Sequence, residues 1–342
     1  MDFIYPSRSE LQPHLHALPS DRIIILCDQN TQRACYPKLN VSFPCIVVPP
    51  GEASKSFDTL EYVIDQLTAL NADRSTLLIN LGGGVISDLG GFAASIYLRG
   101  IRFINIPTTL MGMVDASLGG KTGINFQILK NYLGTFTHPN QFIVCPDFLD
   151  TLPERELVSG YAELIKHALL IGEQELQSVL NIIPQALTPT EWLPIIQRSN
   201  QFKWEVVQAD FRESGLRKQL NLGHTIGHAI ESIMMSTSSP LLHGEAIAVG
   251  LWCAIHLSER RTSFDTQLAQ SVKTYLKDVF PVLSLEEKVL NQIVELSLKD
   301  KKNDQDTRLM VLLSSPGEVV LDVPVSDDEV YSALYAYLNH TT

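Results

Sequence analysis

Short apolar runs rich in β-branched residues alternate with amphipathic segments over the first 150 residues. Such runs are typical of strands that are buried on both faces, and their alternation with helical spacing predicts a mostly parallel sheet with right-handed crossovers. The predicted strands are Ile23–Cys27, Cys45–Val48, Leu77–Asn80, Arg102–Ile106 and Phe142–Cys145. The helices predicted between them are Ser56–Leu70, Asp88–Leu98 and Thr108–Leu118.

The pattern changes after Pro153, where apolar residues recur with the helical period. The helices predicted there are Glu154–Ile171, Thr190–Ala209, His224–Met234, Gly244–Glu259, Phe264–Val279 and Leu285–Leu298. Two strands, Arg308–Leu313 and Glu318–Asp322, precede a final helix. We therefore expect an α/β domain over residues 1–150 and a mainly α-helical domain over residues 151–342, divided within Pro146–Pro153.

The composition is that of an ordinary globular enzyme, with 45% hydrophobic and 19% charged residues in a chain of 342. No apolar run reaches the length of a membrane span, and the N-terminal segment lacks the features of a signal peptide, so we expect no membrane partner. The five cysteines form no CxxC pair. This pattern favours reduced, mostly buried thiols and a cytoplasmic location.

The formal net charge of −12 argues against a nucleic-acid partner, because nucleic-acid binding relies on a basic surface. The positions of the few basic residues then become informative. Clustered near the motifs described below are Arg99, Lys121, Lys130, Lys166, Lys203, Arg217, Lys301 and Lys302. This clustering favours a small anionic substrate.

A glycine-rich segment, LINLGGGVISDLGGF, occupies residues 78–92 between a predicted strand and a predicted helix. Its glycines permit backbone N–H groups to approach a pyrophosphate, but they equally suit tight packing of a helix on a strand. Nearby, Glu52 and Lys55 in PPGEASKS either contact a ribose and a phosphate or cap a helix. Neither segment alone decides between nucleotide binding and structure.

Residues 107–131 bring Asp115, Lys121, Lys130 and Asn131 close in sequence. Within them, GGKT resembles part of a phosphate loop, but the spacing GxxxxGK[ST] is absent. We therefore exclude a P-loop nucleotidase.

Three histidines, His224, His228 and His243, lie within residues 221–245. His224 and His228 are four residues apart, so on a helix they share one face, and this spacing predicts them as a pair of metal ligands. The alternative is that all three are ordinary surface residues. The missing carboxylate ligand is a possible role for Glu163, which otherwise forms a surface ion pair with Lys166 three residues later.

Taken together, these segments resemble the 3-dehydroquinate synthase family. The matching blocks run in order from about Cys27 to Leu313 and read GGGVISDLGGFAASIYLRG, IPTTLMGMVDASLGGKTGIN, LKN, YAELIKHALL, LRKQLNLGHTIGHAIE, LHGEAIAVG and DKKND. The resemblance implies a nucleotide-binding α/β domain followed by a mostly α-helical metal- and substrate-binding domain. It also implies a homodimeric enzyme of the shikimate pathway and aromatic amino acid biosynthesis. This enzyme would use NAD and Zn²⁺ (or Co²⁺) to convert 3-deoxy-D-arabino-heptulosonate 7-phosphate (DAHP) to 3-dehydroquinate and phosphate. In each turnover NAD would be reduced, phosphate would be eliminated and NAD would be reoxidised, and an intramolecular aldol closure would follow.

The resemblance also implies roles for individual residues. The metal ligands would be Glu163, His224 and His243. His228, which its spacing predicted as a ligand, would instead contact the substrate and transfer protons. For NAD the residues are Asp28, Glu52, Lys55, Gly83, Gly84, Val85, Asp88, Thr108, Thr109, Lys121, Lys130, Phe148 and Thr151. For substrate and catalysis they are Asp115, Lys121, Lys130, Asn131, Lys166, Lys203, Glu213, Arg217, Asn221, His228 and Lys302 (or Lys301), with Arg99 contributed across the dimer interface.

The chain departs from the family pattern at three places. Ser87 stands where glycine is usual, and we expect it to restrict the backbone of the glycine loop. Ile128 and Leu129 precede Lys130 where LGKN is usual, and the loop before His243 is long, which we expect to extend into solvent. The sequence leaves three other functions open. The protein could be a sugar phosphate cyclase of the sedoheptulose 7-phosphate type, a metal-dependent polyol dehydrogenase or a non-catalytic NAD-binding relative. The joint presence of Lys203, Arg217 and Asn221 favours the carboxylate-bearing DAHP.

Overall fold

The computed structural model describes residues 1–127, 129–235, 237, 239–283, 285–298 and 307–339. The chain forms two compact units, each made of two chain segments. Residues 1–157 and 187–212 form the first unit, and residues 158–186 together with the described residues after 212 form the second. The assignment of nucleotide binding to residues 1–150 and of metal and substrate binding to residues 151–342 stays a prediction.

A six-stranded parallel sheet forms the centre of the first unit, as the strand–helix alternation predicted. Its strands are β1 (Asp2–Ile4), β2 (Ile23–Asp28), β3 (Cys45–Val48), β4 (Leu77–Gly82), β5 (Arg102–Pro107) and β8 (Gln141–Ile143). Their order across the sheet is β1-β8-β5-β4-β2-β3. The predicted five strands are confirmed. Strand β1 was missed because it is only three residues long, and it pairs with β8 through Phe3 and Phe142.

Helices of the first unit cover the faces of this sheet. They are α1 (Arg8–His16), α2 (Gln29–Ala34), α3 (Tyr36–Leu39), α4 (Phe57–Ala69), α5 (Gly84–Ile96) and α8 (Pro189–Ala209). Helix α5 begins at Gly84, four residues before its predicted start, because Gly83 is extended and acts as the N-cap. Glycines continue inside this helix because a Cβ on Gly90 would lie 1.9 Å from Asn80 Oδ1. For these inner glycines, the interpretation that they permit tight packing of the helix on a strand is therefore correct.

The helix predicted over Thr108–Leu118 is confirmed in part. Residues 110–116 are helical, but Gly112–Ala116 form a π-helix and not an α-helix. A two-stranded antiparallel hairpin follows, formed by β6 (Lys121–Phe126) and β7 (Leu129–Phe136). This hairpin was not predicted, because β7 alternates exposed and half-buried positions and contains no continuous apolar run.

The second unit is mainly helical, which confirms the predicted change of pattern. Its helices are α6 (Glu154–Ile171, whose first turn lies in the first unit), α7 (Glu173–Val179), α9 (His224–Met234), α10 (His243–Arg261), α11 (Thr266–Val279), α12 (Glu287–Leu298) and α13 (Asp327–Asn339). The predicted strands appear as an antiparallel pair, β9 (Leu309–Ser315) and β10 (Glu318–Pro324). The short helix α7 was not predicted.

Helices α9 and α10 approach each other closely at glycine residues. A Cβ on Gly250 would lie 1.9 Å from the carbonyl oxygen of Gly223, and a Cβ on Gly227 would lie 2.8 Å from Ile247 Cδ1. The absence of side chains at these contacts allows the two backbones to pack directly together. The rings of His224, where α9 begins, and His243, where α10 begins, have centroids 5.7 Å apart.

Two further sequence predictions concern the chemistry and location of the chain. All five cysteines are free thiols, and four of them are buried, as predicted. Among the helices that the structure describes, none combines the length and the apolar character needed to cross a bilayer.

Candidate active site

The residues that the sequence assigns to NAD lie together at one edge of the parallel sheet. Asp28 ends β2, Gly83 follows β4, and Thr108 follows β5. Strands β2 and β4 are neighbours at the point where the strand order reverses direction. Ligands of open α/β sheets bind outside the carboxyl ends of the strands at such a point. The topology therefore fits a nucleotide at this edge.

The N-terminus of α5 suits a phosphate group. The N-cap residue Gly83 provides no side-chain hydrogen bond, so the first turn of this 13-residue helix presents backbone N–H groups. A Cβ on Gly83 would lie 3.0 Å from Thr109 Cγ2, and a Cβ on Gly84 would lie 2.9 Å from Ala116 Cβ. The loop is thus packed against the segment that follows β5, and only glycine fits there without displacing it.

Ser87 places no strain on the backbone of the glycine loop, contrary to expectation. It lies inside the first turns of α5, and it is not among the described non-glycine residues with positive φ. Its hydroxyl donates to the carbonyl oxygen of Gly84 at 3.0 Å and accepts a hydrogen bond from Ser117 at 2.9 Å. Serine is therefore compatible with the helical backbone at this position.

Lys55 connects several of the predicted NAD residues. Its ammonium lies 2.7 Å from Asp88 Oδ2 and 3.5 Å from Glu52 Oε1, and it also donates to Asn131 Oδ1. Burial alone would lower the pKa of Lys55, but Asp88 and Glu52 more than offset this and raise it. Lys55 is only 4% exposed, and its backbone N–H also caps the C-terminal end of the short 3-10 helix Glu52–Ser54, so capping accounts for its backbone but not for its ammonium.

Asp88 is the half-buried partner of Lys55. Burial raises the pKa of the Asp88 carboxyl, and the Lys55 ammonium opposes this rise. Glu52 also accepts a hydrogen bond from Asn125 Nδ2 at 2.9 Å, and Asn125 Oδ1 accepts from the backbone of Asn131 at 2.8 Å. The hairpin β6–β7 is thereby held to the predicted NAD residues within the first unit.

A second polar contact of the first unit joins Asp115 and Lys203. Lys203 Nζ lies 2.5 Å from Asp115 Oδ1 and donates to the Asp115 carbonyl oxygen at 2.6 Å. Lys203 comes from α8, which is separated in sequence from the rest of the unit. Two residues that the sequence assigns to substrate are therefore in direct contact.

The remaining candidates of the first unit differ in exposure. Lys121 begins β6 and is exposed, whereas Lys130 in β7 is half-buried. Arg99 is exposed at the end of a short 3-10 helix, with a φ of 68°. Phe148 and Thr151 follow β8, and the Thr151 hydroxyl donates to the Phe148 carbonyl oxygen at 2.7 Å.

In the second unit, a buried carboxylate faces two histidines. Glu163 on α6 is fully buried, and its Oε1 lies 3.6 Å from His224 Nε2 and 3.5 Å from His243 Nε2. Ligand atoms around a tetrahedral zinc ion are about 3.3 Å apart, because each lies about 2.0–2.1 Å from the metal. One carboxylate and two imidazoles are also a donor set that catalytic zinc sites use. Composition and spacing therefore both fit a divalent metal.

The other ring nitrogens of these histidines have their own partners. His224 Nδ1 lies 3.1 Å from the Leu222 carbonyl oxygen, and His243 Nδ1 lies 3.2 Å from Glu231 Oε2. Such contacts orient an imidazole so that Nε2 points to a metal. The sequence analysis did not assign a role to Glu231. It could have been found, because it lies seven residues, or two helical turns, after His224 on α9.

The two imidazoles have different protonation equilibria. Burial, reinforced by the positive charge of Lys166, lowers the pKa of His224 well below its ordinary value. Burial also disfavours the protonated form of His243, but hydrogen bonds to Glu163 and Glu231 more than offset this and raise its pKa to about 10. A neutral His224 is the form that binds metals.

His228 also lies in this cluster. One ligand atom from each of His224, His228 and His243 falls within a group whose members are all within 4.8 Å of one another. The ring centroids of His224 and His228 are 5.1 Å apart, as their i,i+4 spacing predicted. Both the pair His224–His228 and the set Glu163–His224–His243 are therefore close in space, and the metal ligands stay a prediction.

The interpretation of Glu163 and Lys166 as a surface ion pair is wrong. The two side chains form an ion pair, but Glu163 is 0% and Lys166 1% exposed. A buried carboxylate of this kind needs a compensating cation, which Lys166 supplies. Helix α6 is amphipathic in pattern, but every residue from Val158 to Leu170 is buried.

The remaining candidates of the second unit lie just before α9. Arg217 is 4% exposed on the 3-10 helix Leu216–Asn221. Asn221 Nδ2 donates to Glu213 Oε1 at 2.7 Å. Lys301, Lys302 and Ile128 lie outside the described residues. The long loop before His243 is exposed at the described residues Met235, Thr237, Ser239 and Pro240, as expected.

Comparison with known proteins decides the family. Residues 45–159 match the N-terminal part of 3-dehydroquinate synthase, and residues 160–303 match its C-terminal part. The chain belongs to the 3-dehydroquinate synthase family. A 3-dehydroquinate synthase from Parabacteroides distasonis is 38% identical over 335 residues, which cover 96% of this chain and 95% of that protein.

Solved structures of sugar phosphate cyclases have the same fold as this member of the 3-dehydroquinate synthase family. ValA, a 2-epi-5-epi-valiolone synthase from Streptomyces hygroscopicus with NAD⁺ and Zn²⁺ bound, is 27% identical with a TM-score of 0.82, covering 98% of this chain and 96% of that one. A 2-deoxy-scyllo-inosose synthase complexed with carbaglucose-6-phosphate, NAD⁺ and Co²⁺ has a TM-score of 0.84 at 23% identity, covering 97% and 95%. The predicted two-part fold is confirmed.

Proposed function

We propose that this protein is a 3-dehydroquinate synthase, a lyase that converts DAHP to 3-dehydroquinate and phosphate. The observation that carries the proposal is the buried Glu163 carboxylate with His224 Nε2 and His243 Nε2 at 3.6 and 3.5 Å, in a chain of this family. A polyol dehydrogenase or a non-catalytic relative would have no use for the additional buried cations that accompany these groups.

The cofactors are NAD and a divalent metal, Zn²⁺ or Co²⁺. Glu163, His224 and His243 would hold the metal, and the Gly83–Val85 loop with Asp28 and Asp88 would hold NAD. When bound, NAD supplies a reversible hydride acceptor and the metal supplies a Lewis acid for a substrate hydroxyl. The ValA structure, which holds both NAD⁺ and Zn²⁺, supports this pair of cofactors.

The cations of the chain serve to bind an acid that also carries phosphate. Arg217 is buried and provides a planar guanidinium that suits a carboxylate. Lys203 is held by Asp115, which fixes the direction of its ammonium group. Lys121, Lys130 and Asn131 on the hairpin and Lys166 on α6 complete the polar set for the substrate. These assignments rest on the resemblance together with the observed placement.

Proton transfer is assigned to His228. Its imidazole lies beside the predicted metal ligands, with its ring centroid 5.1 Å from that of His224. An imidazole exchanges protons near neutral pH, so a ring nitrogen of His228 suits the removal and return of a substrate proton. Glu213 accepts a hydrogen bond from Asn221 and thereby orients the Asn221 amide for the substrate.

We further propose a homodimer in which Arg99 reaches the site of the partner subunit. Ile96 and Leu98, which come shortly before Arg99 in the chain, are 43% and 44% exposed. Exposed apolar side chains of this kind are common at interfaces. The buried free thiols of Cys27, Cys35, Cys145 and Cys253 support a cytoplasmic location.

The test is phosphate release from DAHP by purified protein with NAD and zinc, with NADH absorbance followed in the same sample. We expect phosphate without lasting NADH, and we expect EDTA to stop it. Glu163→Gln should be inactive, whereas Glu259→Gln, whose carboxylate pairs with Lys273 elsewhere in the same unit, should retain activity. Phosphate release from sedoheptulose 7-phosphate alone would identify a related cyclase, and steady NADH formation from a polyol would identify a dehydrogenase.

A further inference from the structure

We propose that Ser87 and Ser117 are positioning residues, whose hydroxyl groups form a bridge that fixes the Gly83–Val85 loop relative to Asp115. This inference rests on the proposed function, because it concerns how the predicted NAD loop and a predicted substrate residue are held together. It assigns a role to Ser87, at which the family usually has glycine, and to Ser117, which carried no assignment.

The bridge consists of two hydrogen bonds in series. Ser117 Oγ donates to Ser87 Oγ at 2.9 Å, and Ser87 Oγ donates to the Gly84 carbonyl oxygen at 3.0 Å. Both serines are only 4% exposed, so water does not compete effectively for these bonds. Glycine at position 87 would have no hydroxyl, and the connection between the helix start and Ser117 would be lost.

The far end of the bridge is anchored in the sheet. Asn105 on β5 donates from Nδ2 to the Ser117 carbonyl oxygen at 2.9 Å, and Asn80 on the adjacent β4 donates to Asn105 Oδ1 at 2.9 Å. Asn80 and Asn105 are directly paired in the parallel register, and both are buried. The position of Ser117 is therefore set by two central strands and not by the local turn alone.

Packing strengthens the connection between the two segments. The backbone at Gly83 and Gly84 lies so close to Thr109 and Ala116 that a Cβ at either glycine would meet them at 3.0 and 2.9 Å. Close-packed contacts transmit a displacement instead of absorbing it. A shift of the 112–117 segment would thus move the glycine loop.

The functional consequence follows from what the 112–117 segment carries. Asp115 lies two residues before Ser117 and holds Lys203 at 2.5 Å. The bridge therefore connects the helix N-terminus that suits a phosphate of NAD with the Asp115–Lys203 pair that is assigned to substrate. A small misplacement of either group is enough to weaken binding or slow a reaction that needs both in register.

The experiment measures NAD affinity by calorimetry and the melting temperature of the metal-loaded protein for four variants. They are Ser87→Ala, Ser117→Ala, the double variant and Ser95→Ala. Ser95 is the matched control, because it lies on the same helix α5 and its hydroxyl also donates to the carbonyl three residues earlier, that of Phe92, at 2.7 Å. One net hydrogen bond corresponds to about 2- to 10-fold in affinity.

We expect Ser87→Ala and Ser117→Ala each to weaken NAD binding by about 2- to 10-fold, and Ser95→Ala to leave it unchanged. The double variant should bind NAD no more weakly than Ser87→Ala alone, because the shared bond can be lost only once. Lower melting temperatures with unchanged NAD affinity, or fully additive losses, would overturn the bridge. If the unaltered protein binds no NAD at all, the proposed function fails first, and the role of the bridge fails with it.

Discussion

His243 presents Nε2 to Glu163 Oε1 at 3.5 Å while its Nδ1 lies 3.2 Å from Glu231 Oε2. The imidazole is thus held between two carboxylates, one on α6 and one on α9. A carboxylate on the far nitrogen fixes both the ring orientation and the tautomer that leaves Nε2 available to a metal. We therefore propose that Glu231 acts on the predicted metal through His243 and not by direct ligation.

Replacing Glu231 with glutamine keeps the shape of the side chain but removes its charge. We expect the affinity for zinc to fall about 10- to 100-fold, because partners of ligating histidines have effects of this size. Competition with a chromogenic chelator measures the change. Glu259→Gln is the control, since its carboxylate is on α10, the helix of His243, but pairs with Lys273 at 2.8 Å. Equal affinities for the two variants would contradict this role of Glu231.

The choice between His228 and His243 as the second imidazole ligand is also testable. We expect His243→Ala to lose bound zinc and turnover together. His228→Ala should keep zinc and lose activity, because we assign it to proton transfer. Metal analysis after dialysis, combined with the phosphate-release assay, separates the two effects. Retention of zinc by His243→Ala and its loss from His228→Ala would restore the pair that the i,i+4 spacing predicted.

Much of the parallel sheet could be read from the sequence, because each buried strand is a continuous apolar run. The hairpin β6–β7 could not be predicted, because strand β7 alternates between half-buried and exposed positions and its charged residues are of the kind found in loops. The helix predicted over Thr108–Leu118 is present but shorter, over residues 110–116. A pattern with a 3.6-residue period does not reveal that Gly112–Ala116 form a π-helix.

The site shows the same division between local and non-local information. The contact of His224 with His228 follows from four residues of spacing on one helix. The approach of Glu163 to His243 depends on α6, α9 and α10 packing together, in part through glycines such as Gly250. No spacing rule contains that information, so the sequence offered Glu163 only as one of two interpretations, and the family resemblance was needed to choose it as a metal ligand.

Lys55 should be important for the stability of the first unit as well as for NAD. Lys55→Met leaves the largely buried Asp88 carboxylate without its ammonium partner at 2.7 Å. We expect a loss of about 3 kcal/mol in the free energy of unfolding, measured with urea. Asp88→Asn added to Lys55→Met should recover part of this loss, because the uncompensated charge is removed.

The control for this prediction is an exposed ion pair of similar length. Lys288 and Glu286 are 76% and 72% exposed, with 2.5 Å between Nζ and Oε2. Lys288→Met should change the free energy of unfolding by less than about 1 kcal/mol. A similar loss for Lys55→Met and Lys288→Met would show that burial does not strengthen the Lys55–Asp88 pair.

Gly244, the residue after His243, should tolerate no side chain. A Cβ at this position would lie 1.8 Å from the carbonyl oxygen of Ser159 on α6, so the backbone of α6 or α10 would have to move. We expect Gly244→Ala to destabilise the second unit by about 3 kcal/mol and to weaken zinc binding, because His243 moves with the start of α10. Calorimetric unfolding and chelator competition measure the two effects. Ser239→Ala, at an exposed position four residues before His243, is the control and should change neither. Normal stability with normal zinc affinity in Gly244→Ala would mean that α6 and α10 are not held as closely as this contact indicates.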